Sequence, residues 1–293
     1  MKISDILKEK RTISFEFYPP KAADGIPAVL KAIDQVKAFE PDFVSITYGA
    51  GGATRSFTEE ITLKLKKEAA FEVMAHLTCA GQTREEVHEV LERLNQGGLE
   101  NIIALRGDPP RGQQNFVPAQ GGFSHATDLI EHIRGFFQFG VAGASYPEGH
   151  PESPDLATDI KYSKLKVDAG ADFLITQFFY DNSDFFALME RARRAGIEVP
   201  IIPGVLPILN AAQVRRFTAL CGAKIPPALD KELDRLGEDD DAVRELGIEQ
   251  ATRQIRELWD NGVPGVHFYA LNRSYSIAKI LSNLGLPGHT GDT

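Results

Sequence analysis

Polar side chains that could do chemistry recur where short apolar segments of the chain end. Seven of eight such segments end in polar residues, and the remaining one ends in the letters GVLP at 204–207. The polar residues are Glu16, Thr47, His76, Arg106 with Asp108, Tyr146, Gln177, and Asn272 with Arg273. Their carboxyl, imidazole, guanidinium, phenol and amide groups can exchange protons or hold a charged ligand. If the segments are neighbouring parallel strands, these groups form one site.

Glu16 is the strongest candidate for an acid. It stands between Phe15 and Phe17, and apolar neighbours favour the neutral carboxylic acid, which can donate a proton. Position alone leaves an alternative open, in which Glu16 stays ionised in a structural ion pair with Arg106 or Arg273.

Two other segment ends have two interpretations each. The letters RGDPP at 106–110 place a guanidinium and a carboxylate together, and Gly107 allows a ligand close to the backbone. A turn held by a local salt bridge would have the same sequence. His76 is a single histidine in a buried segment, which is more often a hydrogen-bonded core residue than a ligand contact.

Four loop and helix signals add candidates. The letters GAGGAT at 49–54 precede a helix and could hold a phosphate, although a flexible turn is the simpler interpretation. The letters YPEGHPE at 146–152 are typical of a ligand-contacting loop. Asp159 and Lys166 share one helical face, which could equally face solvent. Asn210 and Gln213 form a capping pair, which gives Gln213 a structural role without a ligand.

Eight β-branched and aromatic segments are predicted as strands. They are residues 13–18, 43–49, 72–78, 101–107, 140–146, 173–179, 201–206 and 265–271. Segments with helical spacing separate them, and the pairs Ser56 with Glu59 and Thr83 with Glu86 predict capping boxes. Residues 1–11 are predicted as a short helix, and 208–264 as an extra helix with an acidic loop. Strict alternation predicts a closed (β/α)8 TIM barrel, a single domain over 1–293, rather than an open sheet.

Composition narrows the class of protein. The formal charge of −9 argues against a nucleic-acid or acidic-membrane partner. Cys79 and Cys221 stand far apart, so neither a disulfide nor a thiolate metal site is expected. No apolar run is long enough for a bilayer, which makes the cytoplasm the expected location. These features favour an enzyme of small molecules without a metal.

Seven motifs, taken in order, resemble those of one enzyme family. They are SFEFYPP at 14–20, VSITYGA at 44–50, AHLT at 75–78, ALRGD at 104–108, YPEGHPE at 146–152, ITQFF at 175–179 and HFYALNR at 267–273. Over about residues 13–286 the chain resembles the methylenetetrahydrofolate reductases. The resemblance implies FAD bound without a Rossmann fingerprint, and ping-pong hydride transfer from NADH or NADPH to 5,10-methylenetetrahydrofolate. The implied product, 5-methyltetrahydrofolate, feeds methionine synthesis.

The resemblance also implies roles for individual residues. Glu16 would be the general acid that protonates a folate ring nitrogen, and Asp108 would stabilise the cationic iminium that results. The implied cofactor contacts are Thr47, Tyr48, His76, Arg106, Gly107, Asp108, His125, Ala126, Tyr146, His150, Asp159 and Lys166. The implied folate contacts are Gln177, Gln213, Phe217 and Arg273. The resemblance implies a homo-oligomer. We do not expect this chain to carry the carboxyl-terminal regulatory domain that eukaryotic relatives have.

Three other functions remain to be compared with this one. A Schiff-base aldolase needs a lysine on a barrel strand, and none of the predicted strands contains one. A metal-dependent hydrolase needs clustered histidines and carboxylates, whereas the seven histidines are scattered. A non-catalytic folate or flavin binder is harder to exclude, but Glu16, Asp108 and Gln177 together argue for activity.

Overall fold

Eight strands close into a barrel. The computed structural model describes residues 1–48, 52–109 and 115–286, with 52–54 described as backbone only. The strands are β1 (Thr12–Phe17), β2 (Phe43–Ile46), β3 (Glu72–Thr78), β4 (Asn101–Leu105), β5 (Gly140–Ser145), β6 (Phe173–Phe178), β7 (Ile201–Val205) and β8 (Gly265–Tyr269). They pair in chain order, all in parallel, and β8 returns to β1. The predicted (β/α)8 barrel is therefore confirmed, with each strand beginning within one residue of its predicted start.

Helices surround the barrel. They are α1 (Ile3–Glu9), α2 (Ile26–Val36), α3 (Gly52–Glu68), α4 (Arg84–Gln96), α5 (Ala126–Phe136), α6 (Leu156–Asp168), α7 (Asn182–Arg194), α8 (Ala211–Cys221), α9 (Pro227–Leu236), α10 (Asp240–Asp260) and α11 (Tyr275–Asn283). Single 3-10 turns at Ala23–Gly25 and Lys37–Phe39 flank α2. Within the described part of the chain, no helix is both long and apolar enough to cross a membrane.

Successive side chains along each strand point alternately outward to the helices and inward to the barrel interior. On β1, Phe15 and Phe17 pack outward into the core that the strands share with the helices. Ser14 and Glu16 have the opposite parity and therefore face the barrel interior. Parallel strands buried on both sides need this arrangement, because each face must be covered.

The amino-terminal end of the barrel is apolar and covered by α1. Ile3 and Leu7 from this helix pack with Phe43 and Phe173 from the strands. The Ile3 N–H donates to the Asn101 side-chain oxygen at 2.8 Å, which fixes the helix against β4. The short helix predicted at the amino terminus is confirmed, and it leaves the opposite end of the barrel for chemistry.

One predicted capping box is confirmed and one is wrong. The Thr83 hydroxyl accepts from the Glu86 N–H at 3.2 Å, and the Glu86 carboxylate accepts from the Thr83 N–H at 2.8 Å. Ser56 lies inside α3, which begins at Gly52, and therefore does not cap it. The sequence signal was ambiguous, because a serine and a glutamate three residues apart also share a face within a helix. Of the glycine-rich segment 49–54, interpreted above as a flexible turn or a phosphate site, residues 49–51 lie outside the described residues.

The long connection between β7 and β8 holds α8, α9 and α10 rather than a single extra helix. The acidic run at 238–241 forms the start of α10, where the Asp239 carboxylate accepts from the Ala242 N–H at 3.1 Å. Negative charge is favourable at a helix amino terminus, so this run has a structural explanation. Among the residues described, no group of three or more potential ligands could hold a metal ion.

Candidate active site

The carboxyl ends of the strands bring the predicted polar residues to one end of the barrel. Glu16 is level with Ser45 on β2 and with Tyr269 on β8. Because neighbouring strands are parallel, His76 on β3 and Gln177 on β6 lie toward the same end. A cleft of about 410 Å³ near the starts of β7 and β8 is lined by Phe185 and neighbours, and contains none of the predicted site residues.

Glu16 lies among buried polar groups. The Glu16 side chain is 7% exposed, and its Oε2 lies 3.3 Å from Nε2 of His76 and 3.6 Å from Nε2 of His267. Burial lowers the pKa of His76 to about 4, although the nearby Glu16 charge acts to raise it. His76 is therefore neutral at pH 7.

The alternative ion pair of Glu16 with an arginine is not formed. Both terminal nitrogens of Arg106 donate to Glu152, at 2.5 and 2.7 Å, and these hydrogen bonds raise the pKa of the guanidinium. Arg273 follows β8 and its side chain is exposed. Within the described ranges, no lysine or arginine forms an ion pair with Glu16.

The loop that follows β4 begins with Arg106, Gly107 and Asp108. The Arg106 guanidinium lies 5.1 Å from the Phe116 ring, so the pair with Glu152 and this ring fix its direction. Gly107 has a φ of +87°, a conformation that favours glycine. Asp108 is exposed. Arg106 does not form the local salt bridge considered within RGDPP. It pairs instead with Glu152, in the loop after β5.

The loop after β5 and α6 form an aromatic and cationic wall. The Tyr146 and His150 rings meet edge to face at 4.8 Å, and Lys166 Nζ lies 6.0 Å from the Tyr146 ring. Asp159 is 4% exposed and accepts from the His150 N–H at 3.0 Å. Lys166 donates to the Ala144 carbonyl, and burial lowers its pKa to about 8. Solvent exposure of the Asp159 face is therefore wrong.

The remaining predicted cofactor residues lie in two segments, one directly after β2 and one at the start of α5. Tyr48 follows β2, and its hydroxyl donates to the Gln82 side-chain oxygen at 2.9 Å. Thr47 lies one residue earlier, and its carbonyl accepts from Thr58 at 2.8 Å. His125 precedes α5 as an exposed N-cap, and Ala126 is the first residue of that helix.

The predicted folate residues come from three elements. Gln177 on β6 is half-buried and its side-chain oxygen accepts from the Phe178 N–H at 2.9 Å. Gln213 and Phe217 lie on α8, and Phe217 packs against the apolar cluster that contains Phe178. The Asn210 side chain caps α8 by accepting from the Gln213 N–H at 2.8 Å, so the predicted structural role of this pair is confirmed. Arg273 lies in the loop after β8 and is exposed.

Four residues at the site were not among the predicted ones. Ser14 and Ser45 on the first two strands, and His267 and Tyr269 on β8, face the barrel interior around Glu16. The signal for them was alternation, because polar residues at 14 and 267 have the same strand parity as Glu16 and Tyr269. Gly204 explains why β7 offers no polar side chain. The Tyr269 ring occupies that space, and its hydroxyl donates to the Thr176 carbonyl at 2.7 Å.

Comparison with known proteins shows the family. The family described as "Methylenetetrahydrofolate reductase" matches residues 2–285, and the chain therefore belongs to this family of oxidoreductases. Among bacterial relatives, the 5,10-methylenetetrahydrofolate reductase of Escherichia coli (strain K12) is 35% identical over 94% of this chain and 92% of its own length.

Two further comparisons set limits on the likeness. Methylenetetrahydrofolate reductase (NADH) 1 of Arabidopsis thaliana is 40% identical over 97% of this chain but only 50% of its own length. The chain thus spans about half the length of the plant and yeast relatives it matches. A solved protein from Clostridium thermocellum, described as binding two copies of 5-methyl-5,6,7,8-tetrahydrofolic acid, has a TM-score of 0.66 at 17% identity, covering 97% of each chain. That likeness concerns the fold.

Proposed function

We propose that this chain is a FAD-dependent 5,10-methylenetetrahydrofolate reductase. It takes a hydride from NADH or NADPH and passes it to the folate by a ping-pong reaction, and its 5-methyltetrahydrofolate product feeds methionine synthesis. One observation supports this most directly. Glu16, at the carboxyl end of the barrel, is buried beside two imidazoles and is not neutralised by an arginine or lysine within the described ranges. A carboxyl group in that setting suits proton donation to a bound substrate.

The wall around Tyr146 fits FAD chemically. Its aromatic rings suit a flat ring system, and the cations Lys166 and Arg106 suit a diphosphate. We assign Asp159 a positioning role, because it holds the backbone of His150 in the same loop. FAD, when bound, supplies storage for two electrons between the nicotinamide and the folate.

The protein's own residues have separate tasks in this proposal. Glu16 donates its proton to a folate ring nitrogen, and the methylene bridge then opens to an electrophilic iminium. The exposed Asp108 carboxylate stabilises the cationic iminium. Gln177, Gln213 and Phe217 hold the folate in place. Glu16 recovers a proton from solvent before the next turnover, which balances the proton consumed with each NADH or NADPH.

The same proposal covers context. We expect the protein to act in the cytoplasm as a homo-oligomer, with small-molecule partners and neither nucleic acid nor membrane. Two features are in keeping with this: the formal charge of −9 and the family membership. A folate-binding barrel without catalysis is the competing function, and the experiment below separates the two.

Anaerobic stopped-flow absorbance on the flavin-loaded protein tests the proposal. Wild-type protein should be yellow, bleach with NADH or NADPH, and recover its colour when the folate is added. Glu16→Gln should still bleach at a rate within about threefold of wild type, because no hydride from the nicotinamide passes through the carboxyl. Recovery with the folate should slow at least about 100-fold, the usual contribution of a general acid.

Each arm has a result that contradicts the proposal. Equal slowing of both half-reactions by Glu16→Gln would refute the acid role. A colourless protein that binds the folate but never reduces it would favour the binding barrel. Exposed Glu85→Gln on α4 serves as the matched control and should change neither half-reaction.

A further inference from the structure

Five side chains in the barrel interior form a connected polar group beneath the proposed site. The Ser14 hydroxyl lies 3.1 Å from the Val266 carbonyl oxygen and 2.8 Å from Nδ1 of His267. The Ser45 hydroxyl lies 3.4 Å from Nε2 of His267 and 3.2 Å from Nε2 of His76. Ser14 and Ser45 are fully buried, and His267 is 1% exposed. Buried polar groups of this kind require complementary donors and acceptors.

The Val266 carbonyl determines the direction of the first two hydrogen bonds. A carbonyl oxygen can only accept, so Ser14 uses its one proton as a donor to Val266. The Ser14 oxygen must then accept from the other contact, which requires a hydrogen on Nδ1 of His267. In a neutral imidazole the other nitrogen is an acceptor. Nε2 of His267 therefore presents a lone pair to the residues above it.

The same reasoning determines Ser45 and His76. The lone pair on Nε2 of His267 requires Ser45 to donate its proton there. The Ser45 oxygen then accepts from Nε2 of His76, so the hydrogen of His76 is on Nε2. That same N–H lies 3.3 Å from Oε2 of Glu16. Hydrogen bonds thus run in one direction from His76 to the Val266 carbonyl.

We propose that this chain of Ser14, His267, Ser45 and His76 is a positioning device that directs an N–H at Oε2 of Glu16 and leaves the acid's proton on Oε1. A hydrogen on Oε2 would compete with the His76 hydrogen for the same space. Oε1 is farther from both imidazoles and is the oxygen left to meet a substrate. His76 then orients the acid, a role beyond the cofactor contact predicted from the sequence. The part of this inference that concerns catalysis rests on the proposed function, whereas the part that concerns the histidine tautomers does not.

The other titratable groups that face Glu16 do not supply a competing charge. Among the described residues they are Tyr18 on its own chain segment and Tyr269 on β8, and loss of solvation raises the pKa of both phenols. Both phenols are neutral at pH 7, so they do not reverse the direction of the chain. The Tyr269 hydroxyl already donates to the Thr176 carbonyl.

Nitrogen-15 NMR of histidine side chains in the flavin-loaded protein reads the tautomers directly. Single His267→Gln and His76→Gln variants assign the two signals. At pH 8 we expect His267 to carry hydrogen on Nδ1 alone and His76 on Nε2 alone. A hydrogen on Nε2 of His267, or on both of its nitrogens, overturns the proposal whether or not the protein reduces folate.

Ser14→Ala tests the consequence for the acid with a small change in volume. Without the Ser14 oxygen, the tautomer of His267 is no longer determined, and its signal should become a mixture. Folate reduction should slow about tenfold, with the half-saturating folate concentration and the nicotinamide half-reaction both within about twofold of wild type. Ser145→Ala removes a buried strand hydroxyl that contacts Ser163 instead, and should change neither signal nor rate. An unchanged His267 tautomer in Ser14→Ala, or equal slowing of both half-reactions, contradicts the positioning role.

Discussion

Acidification should destabilise the folded protein through His76. Burial lowers the pKa of His76 to about 4 in the folded protein, against a value of 6.5 in an unfolded chain. The unfolded chain therefore takes up the proton first as the pH falls. The stability contributed by neutral His76 is complete above about pH 6.5 and is lost as the pH falls toward 4. At pH 5 this difference in proton binding lowers the free energy of unfolding by about 2 kcal/mol, and at pH 7.5 its effect is negligible.

Urea unfolding at pH 7.5 and pH 5.0, followed by the fluorescence of Trp259, measures this effect. The loss of unfolding free energy between the two pH values should be about 2 kcal/mol smaller in His76→Gln than in wild type. Other titrating groups contribute equally to both proteins and cancel in that comparison. His125→Gln, which changes an exposed histidine, should lose as much stability as wild type. A loss in His76→Gln equal to the wild-type loss would refute the reasoning.

Three further substitutions test packing and capping by urea unfolding at pH 7.5. Asn272→Ala removes two hydrogen bonds to the Tyr18 backbone, at 2.9 and 3.0 Å, and should lower the free energy of unfolding by about 1–2 kcal/mol. Asn272→Gly should lower it less, because the φ of +56° at this position favours glycine. Gly204→Ala should lower the free energy of unfolding by about 3 kcal/mol or more, because the new Cβ would lie 2.3 Å from a carbonyl oxygen. The control Gly135→Ala adds a Cβ that meets open space, and should leave stability unchanged or raise it. Thr83→Ala removes a capping hydroxyl and should cost about 1 kcal/mol, and an unchanged midpoint would exclude that role.

The barrel could be predicted because its strands carry strong and regular signals. Each predicted start fell within one residue, since a run rich in β-branched, aromatic and other apolar residues follows each helix end. The ends were predicted up to three residues too long. Tyr48 after β2 and Gly107 after β4 have side chains or neighbours that suit a strand, yet they belong to the loops that form the site. Composition alone does not mark where pairing stops.

The residues that meet at the carboxyl end of the barrel could be predicted from the sequence, but the contacts between them could not. Glu16 and His76 were identified from their positions at strand ends. The partner of Arg106 was not, because Glu152 lies 46 residues away in the sequence, whereas Asp108, within the same motif, offered a local partner. The face of Asp159 was ambiguous too, since α6 mixes polar and apolar residues around its whole circumference. Contacts across loops depend on geometry that a local pattern does not contain.

The interior of the barrel changes character along its axis, and this change has a physical reason. Near α1 the interior is filled by Phe43, Phe173 and other apolar side chains that need no partners. One layer higher, serine and histidine hydroxyl and imidazole groups replace them, although a buried polar group without a partner costs roughly 1–3 kcal/mol. An apolar layer there would be the more stable choice. A hydrogen-bonded layer directly beneath Glu16 is the arrangement that the proposed positioning of its carboxyl group requires.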